Sequence, residues 1–489
     1  MAKKVITCVL VLLTIFYGGC LKVKADRITS IDGSEPDLST RPLFLYNASV
    51  HDPSVIKVDD TYYIFGSHLA AAKSTDLMNW TQISRNALPG NRLIPNIREE
   101  LNEALTWAKT NTLWAPDVIQ LGDGKFYMYY CACEGSSPLS ALGIAVAEQV
   151  EGPYQNLGII LRSGMNGIGE DGSRYNANIH PNAIDPHVFF DKEERLWMVY
   201  GSYSGGIFIL ELDPESGFPY PGQGYGKKLM GGNHARIEGP YILYSPDTDY
   251  YYLFVTFGGL AADGGYNMRI ARSNNPEGPY YDAQGNLMLN ARGRSGTFFH
   301  DPSIESYGVK LFGNYQFLHV DGEPRPISRG YVSPGHNSAY YDPDSGKYFL
   351  IFHTRFVNRG EQHEVRVHQM FINEDDWLVV TPHRYAGETK GYYSVNEIVG
   401  EYKYINHGLD ITAEVKQSSL IRLNQDYTIS GNVSGTWESD GSNLTLMIDG
   451  ERYSGVLVRQ WDDDNAAWLM AFTALSAKGV TVWGSKVNR

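Results

Sequence analysis

One short unit recurs along this chain and limits what it can fold into. Near residue 50 the segment Val50-His51-Asp52-Pro53-Ser54-Val55 leads through a polar turn, Lys57 to Thr61, into the aromatic run Tyr62-Tyr63-Ile64-Phe65. Pro116-Asp117-Val118-Ile119 followed by Phe126 to Tyr130 repeats it, as does Asp185-Pro186-His187-Val188-Phe189 followed by Leu196 to Tyr200. Glu238-Gly239-Pro240-Tyr241-Ile242 with Tyr250 to Phe254 makes a fourth copy, and His336 to Tyr341 with Tyr348 to Phe352 a fifth. Two short apolar runs around turn residues read as an antiparallel hairpin. The unit starts at Asp52, Asp117, Asp185, Glu238 and His336 stand 65, 68, 53 and about 100 residues apart. Repeats of this kind predict an all-β chain built as a five-bladed β-propeller, with an insertion in the long last interval.

Equivalent blade starts of a propeller converge on one end of its channel, so Asp52, Asp185 and Glu238 would meet there. Each Asp-Pro alone reads as a turn residue; three acids at matched positions read as a site. Converging carboxylates suit glycoside hydrolysis, in which one acid protonates the leaving oxygen while one base activates water or attacks the sugar. A third negative charge raises the acid's pKa and keeps it protonated at neutral pH. His336 opens the last blade and faces the same axis, either as a hydrogen-bonded core histidine or as the ligand of a central ion. Trp114, three residues ahead of Asp117, offers a face for a sugar or for the core. His300-Asp301-Pro302-Ser303-Ile304 copies the His51 motif but lacks a following aromatic pair. It is read as structural, with a sixth blade as the alternative.

The first 25 residues read as a signal peptide: Lys3-Lys4, then an apolar run from Val5 to Phe16 too short to span a membrane comfortably. Tyr17-Gly18-Gly19-Cys20 permits lipidation of Cys20 as a minor alternative, since Tyr is unusual in such a motif. The leader carries four Lys and no acid, so a net charge of −14 becomes −18 once it is removed. An acidic surface disfavours nucleic acid and anionic membrane as partners and leaves a neutral substrate as the natural one. No later run reaches membrane-spanning length. Of four cysteines, Cys131 and Cys133 lie outside the leader, two apart on a predicted strand and therefore on one face, which suits two small core residues better than a disulfide or a metal site.

Residues 26–44 form a lead-in and 45–388 the propeller. Ile97 to Lys109 carries the clearest helical pattern, with Leu101, Leu105 and Ala108 on one stripe. Two glycine-rich loops, 162–182 and 215–236, each precede a carboxylate-bearing blade start and are placed at the rim of a cleft. From 392 to 489 short alternating strands predict a small antiparallel barrel or sandwich.

Taken together, Ser49 to Ser54, Leu113-Trp114-Ala115-Pro116-Asp117, Ile184-Asp185-Pro186-His187, Arg236 to Tyr241 and Pro334-Gly335-His336-Asn337-Ser338 resemble glycoside hydrolase family 43. More closely, they resemble its bacterial two-domain extracellular endo-1,5-α-L-arabinanases. The resemblance implies hydrolysis with inversion: Asp52 as general base, Glu238 as general acid, and Asp185 raising and orienting the acid. It also implies substrate contacts from Trp114, His51 and Ser202, and a calcium ion on the axis held by His336 and mostly by water. The expected protein is a secreted monomer acting on linear arabinan. An exo-acting arabinofuranosidase or β-xylosidase, a non-catalytic sugar-binding propeller and a retaining fructan hydrolase remain alternatives.

Overall fold

The strand Phe126–Cys133 is buried along its whole length. Successive side chains of a strand point to opposite faces, so Phe126, Met128 and Tyr130 enter one hydrophobic cluster while Tyr127 and Tyr129 enter another. Such a strand needs a sheet packed on each side. In the computed structural model, which describes residues 41–44 and 46–489, the repeat units supply those sheets.

Blade one comprises β1 (Ser54–Val58), β2 (Thr61–Gly66), β3 (Ala70–Ser74) and β4 (Thr81–Ser84). Blade two comprises β5 (Leu113–Gln120), β6 (Phe126–Cys133), β7 (Ser140–Ala147) and β8 (Gln155–Ser163). Blade three holds β9 (His187–Phe190), β10 (Leu196–Tyr200), β11 (Ile207–Leu212) and β12 (Lys227–Met230), and blade four β13 (Ile237–Ser245), β14 (Tyr250–Phe257), β15 (Asn267–Ser273) and β16 (Val309–Phe312). Blade five is larger, with β17 (Tyr315–Gln316), β18 (Gly330–Asp342), β19 (Lys347–Phe356), β20 (His363–Ile372) and β21 (Leu378–Val380). Apolar clusters fill all five gaps between neighbouring blades. Among the described residues no strand is shared between blades one and five. The ring closes instead by packing Val55 and Ile64 against Phe349 and Ile351, and by Val365 N–H donating to Ala48 O at 2.9 Å.

The expected helix is two short ones, α1 (Ile97–Glu100) and α2 (Asn102–Ala108), because Leu101 between them leaves helical geometry at φ −109°, ψ 21°. Leu101, Leu105 and Ala108 still face one way and fill the gap between blades one and two. Cys131 and Cys133 are free, buried thiols packed with Ile184. The duplicate motif starts no blade. Asp301 opens a single 3-10 turn and pairs with Arg236, its Oδ1 accepting from Arg236 Nε at 3.0 Å.

Beyond the propeller, β22 (Gly400–Asn406) is followed by the two-residue β23 (Lys416–Gln417), which pairs parallel with β17 and so belongs to blade five. The strands β24 (Ser419–Leu423), β25 (Thr428–Gly431), β26 (Gly435–Asp440), β27 (Asn443–Ile448), β28 (Glu451–Asp462), β29 (Ala467–Ser476) and β30 (Thr481–Lys486) close an eight-stranded antiparallel barrel with β22. Barrel residues Ile405, Val456 and Trp483 share a cluster with Phe312, Tyr315 and Phe352 of the propeller. The signal peptide, Cys20 and most of the lead-in lie outside the described residues. Among the described residues no helix is long and apolar enough to cross a membrane.

Candidate active site

Each blade enters the channel through one residue with left-handed backbone: Asp52 (φ 56°), Ala115 (φ 27°), Asp185 (φ 56°), Gly239 (φ 57°) and His336 (φ 46°). The first four precede a proline. In β5, β13 and β18 the ladder shifts register here, and such a bulge bends the strand and re-aims its side chains. A non-glycine residue in this region costs about 1–3 kcal/mol and persists where the surroundings over-determine it, often at active sites.

This register corrects the alignment of the repeats. In blade four the matched position is Gly239, and Glu238 stands one residue upstream. A Cβ at Gly239 would lie 2.9 Å from the His336 ring, so the position leaves no room for a side chain. In blade two the matched position is Ala115, and Asp117 falls two residues further along. Asp117 accepts from the Ser54 hydroxyl and from Val188 N–H (2.6 Å), tying blades one, two and three together around the channel.

Asp52, Asp185, Glu238, His51, His336 and Trp114 all line one cavity of about 330 Å³. Ser202 does not; it is buried, and its hydroxyl donates to Glu238 Oε2 at 2.7 Å. Neither glycine-rich loop lines the cavity, whose rim is formed by residues such as Arg85, Leu260 and His363. Three supporting residues escaped the sequence reading. Ser67 donates to Asp52 Oδ2 (2.5 Å) while accepting Ala115 N–H (2.9 Å), Tyr266 donates to Glu238 Oε1, and His353 Nδ1 accepts Asp52 N–H (3.1 Å) and stacks on His51. Ser67 and His353 lie just past the aromatic runs of the first and fifth units; Tyr266 has no such marker.

The three carboxyls are buried alike yet titrate apart. Burial would raise Asp52, but the charge on His336 (3.1 Å away) and then His51 (2.8 Å) outweighs it and holds Asp52 well below the usual range. Burial lifts Asp185 to about 6, against the pull of His336. Burial and then the neighbouring Asp185 push Glu238 up to about 8. His336 is the counter-charge: burial disfavours its cation, and Asp52 and Asp185 override that to raise it to about 10. At neutral pH the site therefore holds an ionised Asp52 and a protonated Glu238, the pair of states that acid–base chemistry on one bond needs.

Residues 44–302 match the model of glycosyl hydrolases family 43, more than half the chain. The chain belongs to glycoside hydrolase family 43. Residues 382–484 match a C-terminal lipocalin-like domain found with that family, in agreement with the closed barrel. This family 43 chain is 59% identical to extracellular endo-alpha-(1->5)-L-arabinanase 2 of Bacillus subtilis, over 91% of the chain and 94% of that protein. It is 55% identical to the extracellular endo-alpha-(1->5)-L-arabinanase of Thermotoga petrophila, over 92% and 95%. The crystal structure of endo-1,5-alpha-L-arabinanase from Thermotoga petrophila superposes with a TM-score of 0.88, covering 92% of this chain and all of the other.

The donors around His336 fit a bound cation once its imidazole gives up the proton, the ion then replacing the imidazolium as the counter-charge to Asp52 and Asp185. His336 and Asn337 line a small axial cavity together with Asp52 and Asp185, and the buried Oδ1 of Asn337 has no hydrogen-bond partner. A hard dication takes oxygen ligands and gains from such surrounding negative charge.

Proposed function

We propose that this family 43 protein is a secreted, monomeric endo-hydrolase that cleaves α-1,5-L-arabinofuranosidic linkages of linear arabinan with inversion. The observation that carries the chemistry is the convergence of Asp52, Asp185 and Glu238 on one cavity, where burial and the charge of His336 set the carboxyls apart in acidity. The substrate rests on two relatives above 50% identity over nearly their full lengths, both named for endo-action on α-1,5-arabinan. Asp52, ionised and fixed by Ser67, accepts a proton from the attacking water. Glu238 delivers its proton to the departing sugar oxygen, so the bond to that oxygen breaks as the bond from water forms on the opposite face. Asp185 keeps Glu238 protonated, and its Oδ2 accepts Gly239 N–H at 3.3 Å, fixing the strand beside the acid. Trp114 and His51 contact the sugar from the cavity wall, and Ser202 positions the acid.

A calcium ion at His336, with Asn337 as a second donor, belongs to the same reading. When bound it supplies a fixed positive charge beside Asp52 and Asp185. Calcium added to chelator-treated protein should raise its Tm, and the rise should vanish in His336→Ala. An equal rise in that variant would remove His336 from the ligand set.

The deciding experiment is product analysis on debranched linear arabinan with Asp52→Ala and Glu238→Ala as controls, alongside NMR of the first-formed anomer. A ladder of intermediate oligosaccharides with inverted anomers, lost in both variants, is expected. Release of monomer alone would replace this reading with exo-action.

A further inference from the structure

Exposed aromatic surface leads away from Glu238. Tyr203 sits beside the acid's strand, its N–H donating to Ile237 O (2.9 Å) and its hydroxyl to Gly258 O (3.1 Å). Phe299 meets the Tyr203 ring edge-on at 5.5 Å, and Phe298 follows at 6.2 Å, stacked on His234 at 4.2 Å. Phe298 is 70% exposed and Phe299 51%, while Leu260, on the cavity rim nearby in the Gly258 loop, is 41% exposed. Large apolar side chains in such a cluster mark a binding surface more often than chance exposure.

The strip is a built element. It belongs to the insertion between β15 and β16, which folds back to the end of blade four that carries Glu238. Gly293 N–H donates to Gly232 O (3.0 Å), Asn233 Nδ2 to Gly293 O (3.0 Å) and Phe299 N–H to His234 O (3.3 Å). The Asp301 carboxylate then clamps Arg236, two residues ahead of Glu238. The duplicated His-Asp-Pro-Ser motif thus anchors the aromatic loop to the catalytic strand.

We propose that Phe298 and Phe299 form a platform for arabinofuranosyl units of the polymer lying beyond those in the catalytic cavity. The occupant is a neutral oligosaccharide because the strip leads back to the catalytic cavity: Tyr203, in contact with Phe299, donates to Gly258 O, and Leu260 two residues further on lines that cavity. Rigid aromatic faces bind with little entropy cost. The inference rests on the arabinan reading above and extends it from the cleaved bond to the length of chain gripped.

The test compares kcat/KM on linear arabinan with that on arabinotriose, using the full-length protein, Phe298→Ala and Phe298→Tyr. The polymer-to-trimer ratio should fall about tenfold in the alanine variant, as expected for truncating one aromatic anchor. The fall should lie in KM, and tyrosine should restore it. An unchanged ratio overturns the platform while leaving the activity standing. So does a change in sedimentation of Phe298→Ala without a change in ratio, which would make the patch an interface between copies. Failure of the wild-type protein to cleave arabinan overturns the functional reading and the platform with it.

Discussion

Ser202 hydrogen-bonds Glu238 without itself lining the cavity, which makes it a lever on that carboxyl. Its hydrogen bond favours the carboxylate and so lowers the Glu238 pKa against the larger effects of burial and Asp185. With Glu238 as the proposed acid and Asp52 as the proposed base, kcat/KM should fall as pH rises through about 8, and the acid limb should lie below the ordinary carboxylate range. In Ser202→Ala the alkaline limb should move to higher pH while the acid limb stays in place; a downward move would contradict this role. The same group costs stability. Its ordinary pKa is 4.5 and its folded value about 8, so the folded chain binds the extra proton and loses stability as pH climbs through that window. Glu238→Gln removes the titration, and its Tm should therefore exceed the wild-type value by a margin that grows between pH 4.5 and 8. A constant margin in thermal melts would show that the buried carboxyl is not the cause.

Elements explain how much of this was legible in the sequence. Hairpins announce themselves because the inner strands of a propeller are buried on both faces, giving runs such as Phe126 to Tyr130 bounded by turns. The acids were found through their spacing and resemblance, but their register was not. A bulge adds residues to one strand, so matching Glu238 to Asp52 by its carboxylate misses the register, whereas matching Pro240 to Pro53 sets Gly239 opposite Asp52 as the backbone does. Ser202 and Tyr266 were missed as supports for a similar reason, since both reach Glu238 from other strand ends. The last residue of β2 shows the precision required. A Cβ on Gly66 would fall 2.0 Å from His51 O and 2.6 Å from Val50 Cγ1, where β2 passes the segment that delivers Asp52. Gly66 is extended at φ −154°, so the obstacle is close approach rather than backbone strain. Gly66→Ala should cost about 1–3 kcal/mol by overpacking and should also depress kcat, because Ser67 and Asp52 shift together. Denaturant titration showing wild-type stability would mean that this contact relaxes freely.

At the scale of the molecule, the barrel is part of the propeller's core. Trp483 is fully buried against Phe312 and Tyr315, at centroid distances of 5.0 Å to each, so the gap between blades four and five is completed from outside the ring. The connection is also polar. Lys403 of the barrel meets Glu323 of the loop between β17 and β18 at 3.1 Å, with the side chains only 2% and 1% exposed. The Glu323 Oε1 that meets Lys403 also accepts Asn465 Nδ2 at 2.9 Å. Removing one partner of a buried pair leaves an uncompensated charge, at a cost of about 3–5 kcal/mol. Lys310 of blade four adds two bonds to barrel-side carbonyls, His407 O at 2.9 Å and Asp410 O at 2.6 Å. An interface made of shared core and satisfied buried charge melts with the domains it joins, so calorimetry should give one transition with equal calorimetric and van't Hoff enthalpies. Trp483→Ala should lower the whole transition by about 3–5 kcal/mol of stability rather than release the barrel first. Two resolved transitions, with activity surviving the first, would instead make the barrel an appended module and leave the propeller stable by itself.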